Sequence, residues 1–484
     1  MYFLLCVLII MIPIWLLYLS IRCRLYIINI PMPRCNLLFG HAFEFLDKKR
    51  ILSKFTEYCI EYGGIYKIYI PPKLPTLIIS DPELIQQLTT THLEKSLDYK
   101  VFKRWIGQGL LTADVKVWKT NRRLITPCFG RLSTLISFVD IFEKNGNQLV
   151  NYLENQMDNN SIDVFPLIKI ITLNSMCETS MGVSKLNPDY MQTYCQSMQK
   201  LLKIYINRPS SIKRYDFLYR LSNDYIEEEK ALKVVSEIFK MIMKEKINNN
   251  AEKNVDEENS NLSFLDMLLE IQTKYGLSKE YIRDEVNTFL LGGHDTTATA
   301  IAFTLYSLAM NQHIQDKVLA EQIELFGSFK EDLEVSHTEL KQMKYLDLVI
   351  KESLRMFPPI PAIGRRITSD FKLGDYDLPK NMNVTVFIYG CHHNPKYFPE
   401  PDKFIPERFL DSTPSSFIPF SFGPRNCIGN KFAMLQMKSC ISKVVRYFKL
   451  LPPKPDYNMN LIITATLFSE NGIRLSLEKR VSSE

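Results

Sequence analysis

The chain has no Cys-x-x-Cys pair, no His-Glu-x-x-His, no Gly-x-Gly-x-x-Gly following a strand, and no large excess of either charge. Its ten cysteines, Cys6, Cys23, Cys35, Cys59, Cys128, Cys177, Cys195, Cys391, Cys427 and Cys440, are too dispersed for a disulfide framework. The one adjacent histidine pair, His392-His393, diverges on either a helix or a strand, which argues against a protein-ligated zinc. Lys plus Arg at 59 against Asp plus Glu at 53 leaves +6, too little for a dedicated nucleic-acid binder. No repeat period is visible, and beyond the N-terminus no stretch is long and apolar enough to cross a bilayer. What is present is an ordinary globular balance, 46% apolar and 23% charged in 484 residues, which excludes a disordered or fibrous chain. At roughly 150 residues per domain, that length allows up to about three domains or one large enzyme fold.

Residues Tyr2 to Ile21 carry no charge. As a helix at about 1.5 Å per residue they would span roughly 30 Å, the hydrocarbon thickness of a bilayer. A cleaved signal peptide is the alternative, but the run exceeds an ordinary signal core and no small-x-small site succeeds it. Arg22 and Arg24 come next, placing the downstream chain on the cytoplasmic side, and Pro31-Met32-Pro33 cannot extend the helix. The expectation is an anchor over 1–24 and one catalytic body over 25–484. Within that body, helical spacing recurs at Tyr225–Lys244 and Leu262–Lys274, around a polar stretch, Lys244–Asn261, read as an exposed loop. Strand-like alternation is confined to Gly64–Ile70, Leu77–Ser80 and Val384–Tyr389. The fold class is mainly α with small β-sheets.

Chemistry concentrates near the C-terminus. In Phe420-Ser421-Phe422-Gly423-Pro424-Arg425-Asn426-Cys427-Ile428-Gly429, a tight loop delivers a cysteine to the start of an apolar helical segment, Asn430–Phe448. The positive end of that helix favours a thiolate, Gly429 lets backbone approach something flat, and Arg425 offers a guanidinium to an anion. A structural cysteine before a helix is the plainer reading of such a residue taken alone. Upstream, Gly292-Gly293-His294-Asp295-Thr296-Thr297 interrupts a long apolar helical stretch. Asp-Thr is often a helix cap, whereas paired glycines inside a helix allow widening and ligand approach. Glu352-x-x-Arg355 shares one helix face, as does Trp118-x-x-x-Arg122, and each by itself reads as a surface ion pair or cation–π contact.

Taken together, Phe420, Gly423, Arg425, Cys427 and Gly429 resemble the haem-thiolate loop of the cytochrome P450 superfamily. The resemblance implies that superfamily's helical haem-binding fold, with Cys427 as axial ligand of the haem iron and Phe420, Gly423, Arg425 and Gly429 around the cofactor. It also implies a structural lock of Glu352, Arg355 and Arg408, and propionate donors at Trp118, Arg122 and Arg365. Thr296 is then the residue holding oxygen and water, Asp295 the proton relay, and Thr297 and His294 are support and packing. Cys177-Glu178-Thr179-Ser180-Met181-Gly182, Phe264-Leu265-Asp266, Gly293 to Thr297, Met343-Lys344-Tyr345-Leu346 and Lys431-Phe432-Ala433-Met434 resemble family 4, the fatty-acid hydroxylase group. Many members of that family carry a glutamate that esterifies a haem methyl where this chain has Gly292, so non-covalent haem b is expected.

The implied activity is that of a membrane-anchored haem monooxygenase, inserting one atom of O2 into a lipophilic substrate, with fatty acids foremost. Terpenoids, hormones and foreign compounds are the other candidates. Without a nucleotide or flavin module, electrons must come from outside the chain; the resemblance implies an NADPH-dependent cytochrome P450 reductase as their source, with cytochrome b5 as a further candidate donor, at the endoplasmic reticulum membrane. Lys116, Lys119, Arg123, Lys431, Lys438, Lys443 and Arg446 are candidates for a basic docking patch, with ordinary solvated helix faces as the alternative. Leu97–Leu111, Cys195–Asn207, Thr288–Leu291, Pro359–Gly364 and Thr464–Phe468 are the implied substrate segments, with Ile360, Ile363, Leu290, Leu291 and Leu467 as apolar wall. Two other readings share the cysteine loop. One is a haem-thiolate isomerase or dehydratase working without O2, against which the Asp295-Thr296 pair weighs, and the other is a non-catalytic haem or lipid carrier.

Overall fold

The computed structural model describes residues 2–47, 49–71, 73–157, 161–184, 186–252, 263–327, 333–453 and 457–480. Helix α1 covers Tyr2–Leu25, with Pro13 inside it. The side chains of residues 2–10 lie outside the described ones, and the apolar stretch that remains, Met11–Cys23, covers only about 20 Å. Among the described residues no single helix is long and apolar enough to cross a membrane. The chain leaving α1 is tied to the body by Lys67, whose Nζ donates to the carbonyls of Tyr26 (2.6 Å) and Ile27 (2.9 Å).

The largest sheet has four strands, β1 (Ile65–Ile68), β2 (Thr76–Ile79), β3 (Ala362–Arg366) and β4 (Asn383–Phe387), in the spatial order β1-β2-β4-β3. Three of these are the strands expected from alternation, with ends within two residues. In β3 the register sets Ile363 against Val386 and Arg365 against Val384, and the two-residue period turns both side chains inward. An arginine is thereby delivered to the interior by the same alternation that buries an isoleucine.

Helices form the rest of the body. In chain order they include α2 (Pro82–Thr91), α3 (Val115–Gly130), α4 (Leu132–Glu154), α5 (Phe165–Met176), α6 (Pro188–Asn207), α7 (Asn223–Glu252), α8 (Phe264–Tyr275), α9 (Lys279–Met310), α10 (Lys344–Met356) and α11 (Asn430–Tyr447). Their starts are written in the sequence. The Asp81 carboxylate accepts from the amides of Glu83 and Leu84 ahead of α2, Ser263 and Asp266 form a reciprocal box at α8, and Ser278 accepts from the Tyr281 amide at α9. Helix α9 runs about 48 Å through the centre, buried along most of its length between α5 and α11. A hairpin of β5 (Leu461–Ile463) and β6 (Leu467–Ser469) closes against its middle.

Two expectations are corrected. The polar stretch from Lys244 is helical as far as Glu252, and residues 253–262 lie outside the described ones. The helix persists because Lys246 is buried, with Nζ 2.7 Å from Asp266 and 3.3 Å from the Ser263 hydroxyl. The glycine pair does not widen α9, which is α-helical throughout Lys279–Met310; instead the two residues have different surroundings. A Cβ at Gly293 would meet Met176 Sδ of α5 at 2.4 Å, whereas one at Gly292 would meet no protein atom within 4 Å.

Candidate active site

The cysteine loop is set by its own backbone. The Cys427 amide donates to the Phe420 carbonyl (2.9 Å) and the Asn426 amide to that of Gly423 (3.0 Å). Ser421 and Gly423 both take positive φ, 64° and 78°. At Gly423 a Cβ would lie 2.6 Å from the Thr89 carbonyl oxygen, so the loop seats on the end of α2 only with glycine there. Cys427 is the one exposed cysteine among those described. Its thiol is accessible yet recessed, and burial raises it above the ordinary thiol range, opposed by the Gly429 amide and by Arg122. A metal cation at the sulfur deprotonates a thiol outright.

Two residues ahead of Cys427, Arg425 lies within electrostatic range of Arg365 and of Lys95. Arg365 is fully buried; its Nη1 donates to the neighbouring Gly364 carbonyl (3.1 Å), and Nε and Nη2 have no partner. Arg425 lies with its guanidinium 4.8 Å from the Trp118 ring centroid and donates through Nη2 to the Ala113 carbonyl (2.6 Å), while Nε and Nη1 are unpartnered. Burial and then Arg365 lower Arg425 to about 10, and burial lowers Arg365. Burial, Arg365 and Arg425 together push Lys95 well down, with its ammonium 4.6 Å from the Tyr99 ring centroid. Four orphaned guanidinium nitrogens on two converging arginines are the donor set for an acidic ligand, the carboxylates of a haem included. Gly429, whose Cβ would meet no protein atom within 4 Å, leaves room beside Cys427. The residues present fit that group.

Arg122 stands differently. Both of its terminal nitrogens bond Asn426, to the backbone oxygen and to Oδ1, each at 2.9 Å, so it braces the loop one residue ahead of Cys427. Phe420 is half-buried and gives its carbonyl to the cysteine amide.

The charges expected to form a lock do come together. Arg355 bonds Glu352 through Nε (2.8 Å) and Nη2 (2.9 Å), with both side chains fully buried, and Arg408 Nε donates to the same carboxylate at 3.1 Å. The Ile405 amide donates to Glu352 Oε1 (2.9 Å), and Arg355 also bonds the carbonyls of His392 and Lys403.

On α9, the Thr296 hydroxyl donates to the Gly292 carbonyl (2.7 Å) and that of Thr297 to Gly293 (2.8 Å). Thr296 is half-buried and Thr297 buried. His294 is fully buried, bonded at 2.5 Å to the Leu290 carbonyl and lowered by burial to about 4, consistent with packing. Asp295 is buried too, its Oδ1 2.8 Å from Lys169 Nζ of α5 and its Oδ2 accepting from Thr466 (3.0 Å) in the β5–β6 turn. Burial alone would raise its carboxyl; Lys169, with His294 and Thr466, holds it below the ordinary aspartate range. Leu290, Leu291, Ile363 and Leu467 are buried and Ile360 half-buried.

Three residues of the expected basic patch are interior instead. Lys438 pairs with Asp347 (2.9 Å), Lys443 with Glu143 (2.9 Å), and Arg446 is buried against the Phe326 ring. Beyond its first turn helix α11 is enclosed by protein, so Lys438 and Lys443 face carboxylates and Arg446 an aromatic ring, not water. Lys116, Lys119, Arg123 and Lys431 are exposed.

Sequence reading missed Lys169 and Glu285, and placed Thr466 only within the expected substrate segment Thr464–Phe468, not beside Asp295. Lys169 is the lone charge in the apolar run Phe165 to Ile171, and a single cation in such a run signals a buried counter-charge. Glu285 is fully buried on α9, accepting from the Leu110 amide (3.0 Å) and the Asn121 side chain (2.7 Å). It ties α9 to α3, the helix of Trp118 and Arg122.

Comparison with known proteins agrees with this geometry. A family model described as Cytochrome P450 matches residues 30–476. The chain is 34% identical over 479 residues to Cytochrome P450 4d2 of Drosophila melanogaster, covering 93% of this chain and 94% of that one. It is 35% identical over 462 residues to Cytochrome P450 4d8 of the same organism, covering 90% and 98%. To Cytochrome P450 4V2 of Homo sapiens it is 32% identical over 485 residues, covering 94% and 91%.

Proposed function

We propose, from the premise that this chain belongs to the cytochrome P450 family and is one of its monooxygenases, that it hydroxylates a fatty acid or related lipid. The observation carrying the reading is the convergence of Arg365 and Arg425, with their unpartnered donors, on the side of an accessible Cys427. When bound, haem iron supplies the O2 chemistry that puts one oxygen atom into substrate and reduces the other to water. Cys427 is its protein ligand, Arg365 and Arg425 take the propionates with Trp118 beneath Arg425, and Arg122 keeps the loop in place through Asn426. Gly292 has no carboxylate to esterify the macrocycle, so the haem is held without a covalent bond. Stainable haem retained on a denaturing gel would count against this.

On the opposite side, Thr296 presents a hydroxyl for water, and Asp295, kept ionised by Lys169, accepts and returns a proton at its carboxylate. Leu290, Leu291, Ile363 and Leu467 support a lipid chain, not a polar substrate. The exposed Lys116, Lys119, Arg123 and Lys431 receive an acidic reductase that passes on electrons from NADPH, with cytochrome b5 as a second donor. Helix α1 anchors the protein in the endoplasmic reticulum membrane, catalytic body toward the cytosol, supported by the uncharged run before Arg22 and Arg24.

Reconstitution with reductase and NADPH against a chain-length series of fatty acids, scored for terminal and subterminal alcohols, tests this directly. The reduced CO-bound spectrum of the same sample reports thiolate ligation. Alcohol products support the lipid reading. Correctly ligated protein that yields none removes fatty acids and turns the search to terpenoids and foreign compounds.

A further inference from the structure

The carboxylate of Asp295 has both oxygens engaged by residues from other elements. Oδ1 pairs with Lys169 of α5, and Oδ2 accepts from Thr466, which lies 171 residues further along the chain. Thr466 sits in the turn of the β5–β6 hairpin, where its own carbonyl accepts from the Thr464 amide (2.9 Å) and the Thr464 hydroxyl (2.7 Å). The next residue, Leu467, is fully buried, and its amide donates to the carbonyl of Pro359 (2.9 Å), just ahead of β3. The four residues Thr464 to Leu467 thus touch the carboxylate through Thr466 and the segment leading into β3 through Leu467.

We propose that Thr466 is a positioning residue for Asp295: the pocket-wall turn holds the second carboxylate oxygen, so proton delivery from Asp295 depends on where that turn stands. This rests on the reading of Asp295 as the proton relay. Oδ1 is held by a buried ammonium and Oδ2 by a neutral hydroxyl, so Oδ2 is the less tightly held oxygen and the Thr466 hydroxyl sets how freely it moves. A molecule lying against Leu467 or the segment after Pro359 bears on the same turn. The wall that senses occupancy is therefore hydrogen-bonded to the group that moves the proton. The other titratable groups around Asp295 are Lys169 of α5, His294 on its own helix and Cys195 of α6, and none of them belongs to the hairpin.

Thr466→Val keeps the shape and removes the donor, and Thr466→Ser restores the hydroxyl. In the holoenzyme with reductase, NADPH consumption is followed from pH 5 to 9, without lipid and with dodecanoate, beside Asp295→Asn. Hydrogen exchange at the Thr464 and Leu467 amides is measured on the same proteins without NADPH. Thr466→Val is expected to raise lipid-free NADPH consumption severalfold. It should also move the acid limb of the profile up by about one pH unit, since the carboxylate has lost a donor that favoured its ionised form. Thr466→Ser should match wild type, and Asp295→Asn should abolish the limb. Faster amide exchange in Thr466→Val with a wild-type pH limb would mean that Thr466 only stiffens the hairpin, and would overturn the proposal while leaving the relay intact. A wild-type limb in Asp295→Asn would overturn the relay itself, and the role of Thr466 with it.

Discussion

Lys169 Nζ stands 2.8 Å from Asp295 Oδ1 with both side chains buried, joining two helices that no local sequence pattern connects. Removing one partner leaves the other as an unpaired charge in the core. Lys169→Met should therefore destabilise the fold by about 3 kcal/mol, read by denaturant unfolding, and Lys169→Met/Asp295→Asn should recover most of that loss. The pH sign comes from the depressed Asp295 carboxyl. Its contribution is present above the ordinary aspartate range and disappears as pH falls through the folded value, so wild type and Lys169→Met should converge in acid.

Glu285 supplies the opposite sign. Burial raises it to about 7, opposed by the Leu110 amide and Asn121. A carboxyl raised on folding contributes stability that is complete below the unfolded value and lost as pH rises through the folded one. Between roughly pH 4.5 and 7 wild type should lose stability on the order of 3 kcal/mol from this group. Glu285→Gln, whose neutral amide can pair with Asn121 if that side chain turns over, should flatten this segment of the unfolding free energy against pH. An undiminished slope in Glu285→Gln would place the titration elsewhere.

How far the sequence could be read depended on the range of the interactions involved. The cysteine loop and the pairing of Glu352 with Arg355 were legible because each closes within a few residues. Arg408 joined them through the order of a known motif. Contacts such as Asn121 with Glu285, 164 positions apart, leave no periodic trace. Lys438, Lys443 and Arg446 misled because charged residues at helical spacing ordinarily face water, whereas α11 is surrounded by protein. The polar run from Lys244 misled for the same reason, since composition does not reveal that Lys246 has Asp266 to meet.

The corrected basic face yields a sharper docking prediction. Lys119→Glu/Lys431→Glu should slow reduction by the NADPH-dependent reductase severalfold at low salt and weaken the dependence of that rate on ionic strength. Stopped-flow reduction across a salt series is the measurement. Lys438→Glu is a poor probe of the same surface, because it sets a second carboxylate beside Asp347 and should lower folding yield before it touches docking. Unaltered salt dependence in the double variant would remove these two lysines from the interface.

Arg365 offers a test in which folding and ligand binding respond in opposite directions. Without an acidic ligand its guanidinium is buried with one hydrogen bond, to the adjacent Gly364 carbonyl, and two unpartnered nitrogens. Burying such a charge opposes folding, as its lowered value records. Arg365→Met keeps the length and the apolar stem, so the apoprotein should be as stable as wild type or more so in urea. Haemin titration of the same apoprotein should show at least tenfold weaker binding, because a propionate then enters the pocket without its charge-assisted donor. Arg355→Met should differ in kind. That arginine is fully partnered by Glu352, His392 and Lys403, and losing it leaves a buried carboxylate with only Arg408 and the Ile405 amide to meet it. Its apoprotein should be destabilised outright, by about 3 to 5 kcal/mol. If Arg365→Met weakens folding as Arg355→Met does, then Arg365 is a structural residue and the cation cluster beside Cys427 loses its strongest claim to a propionate.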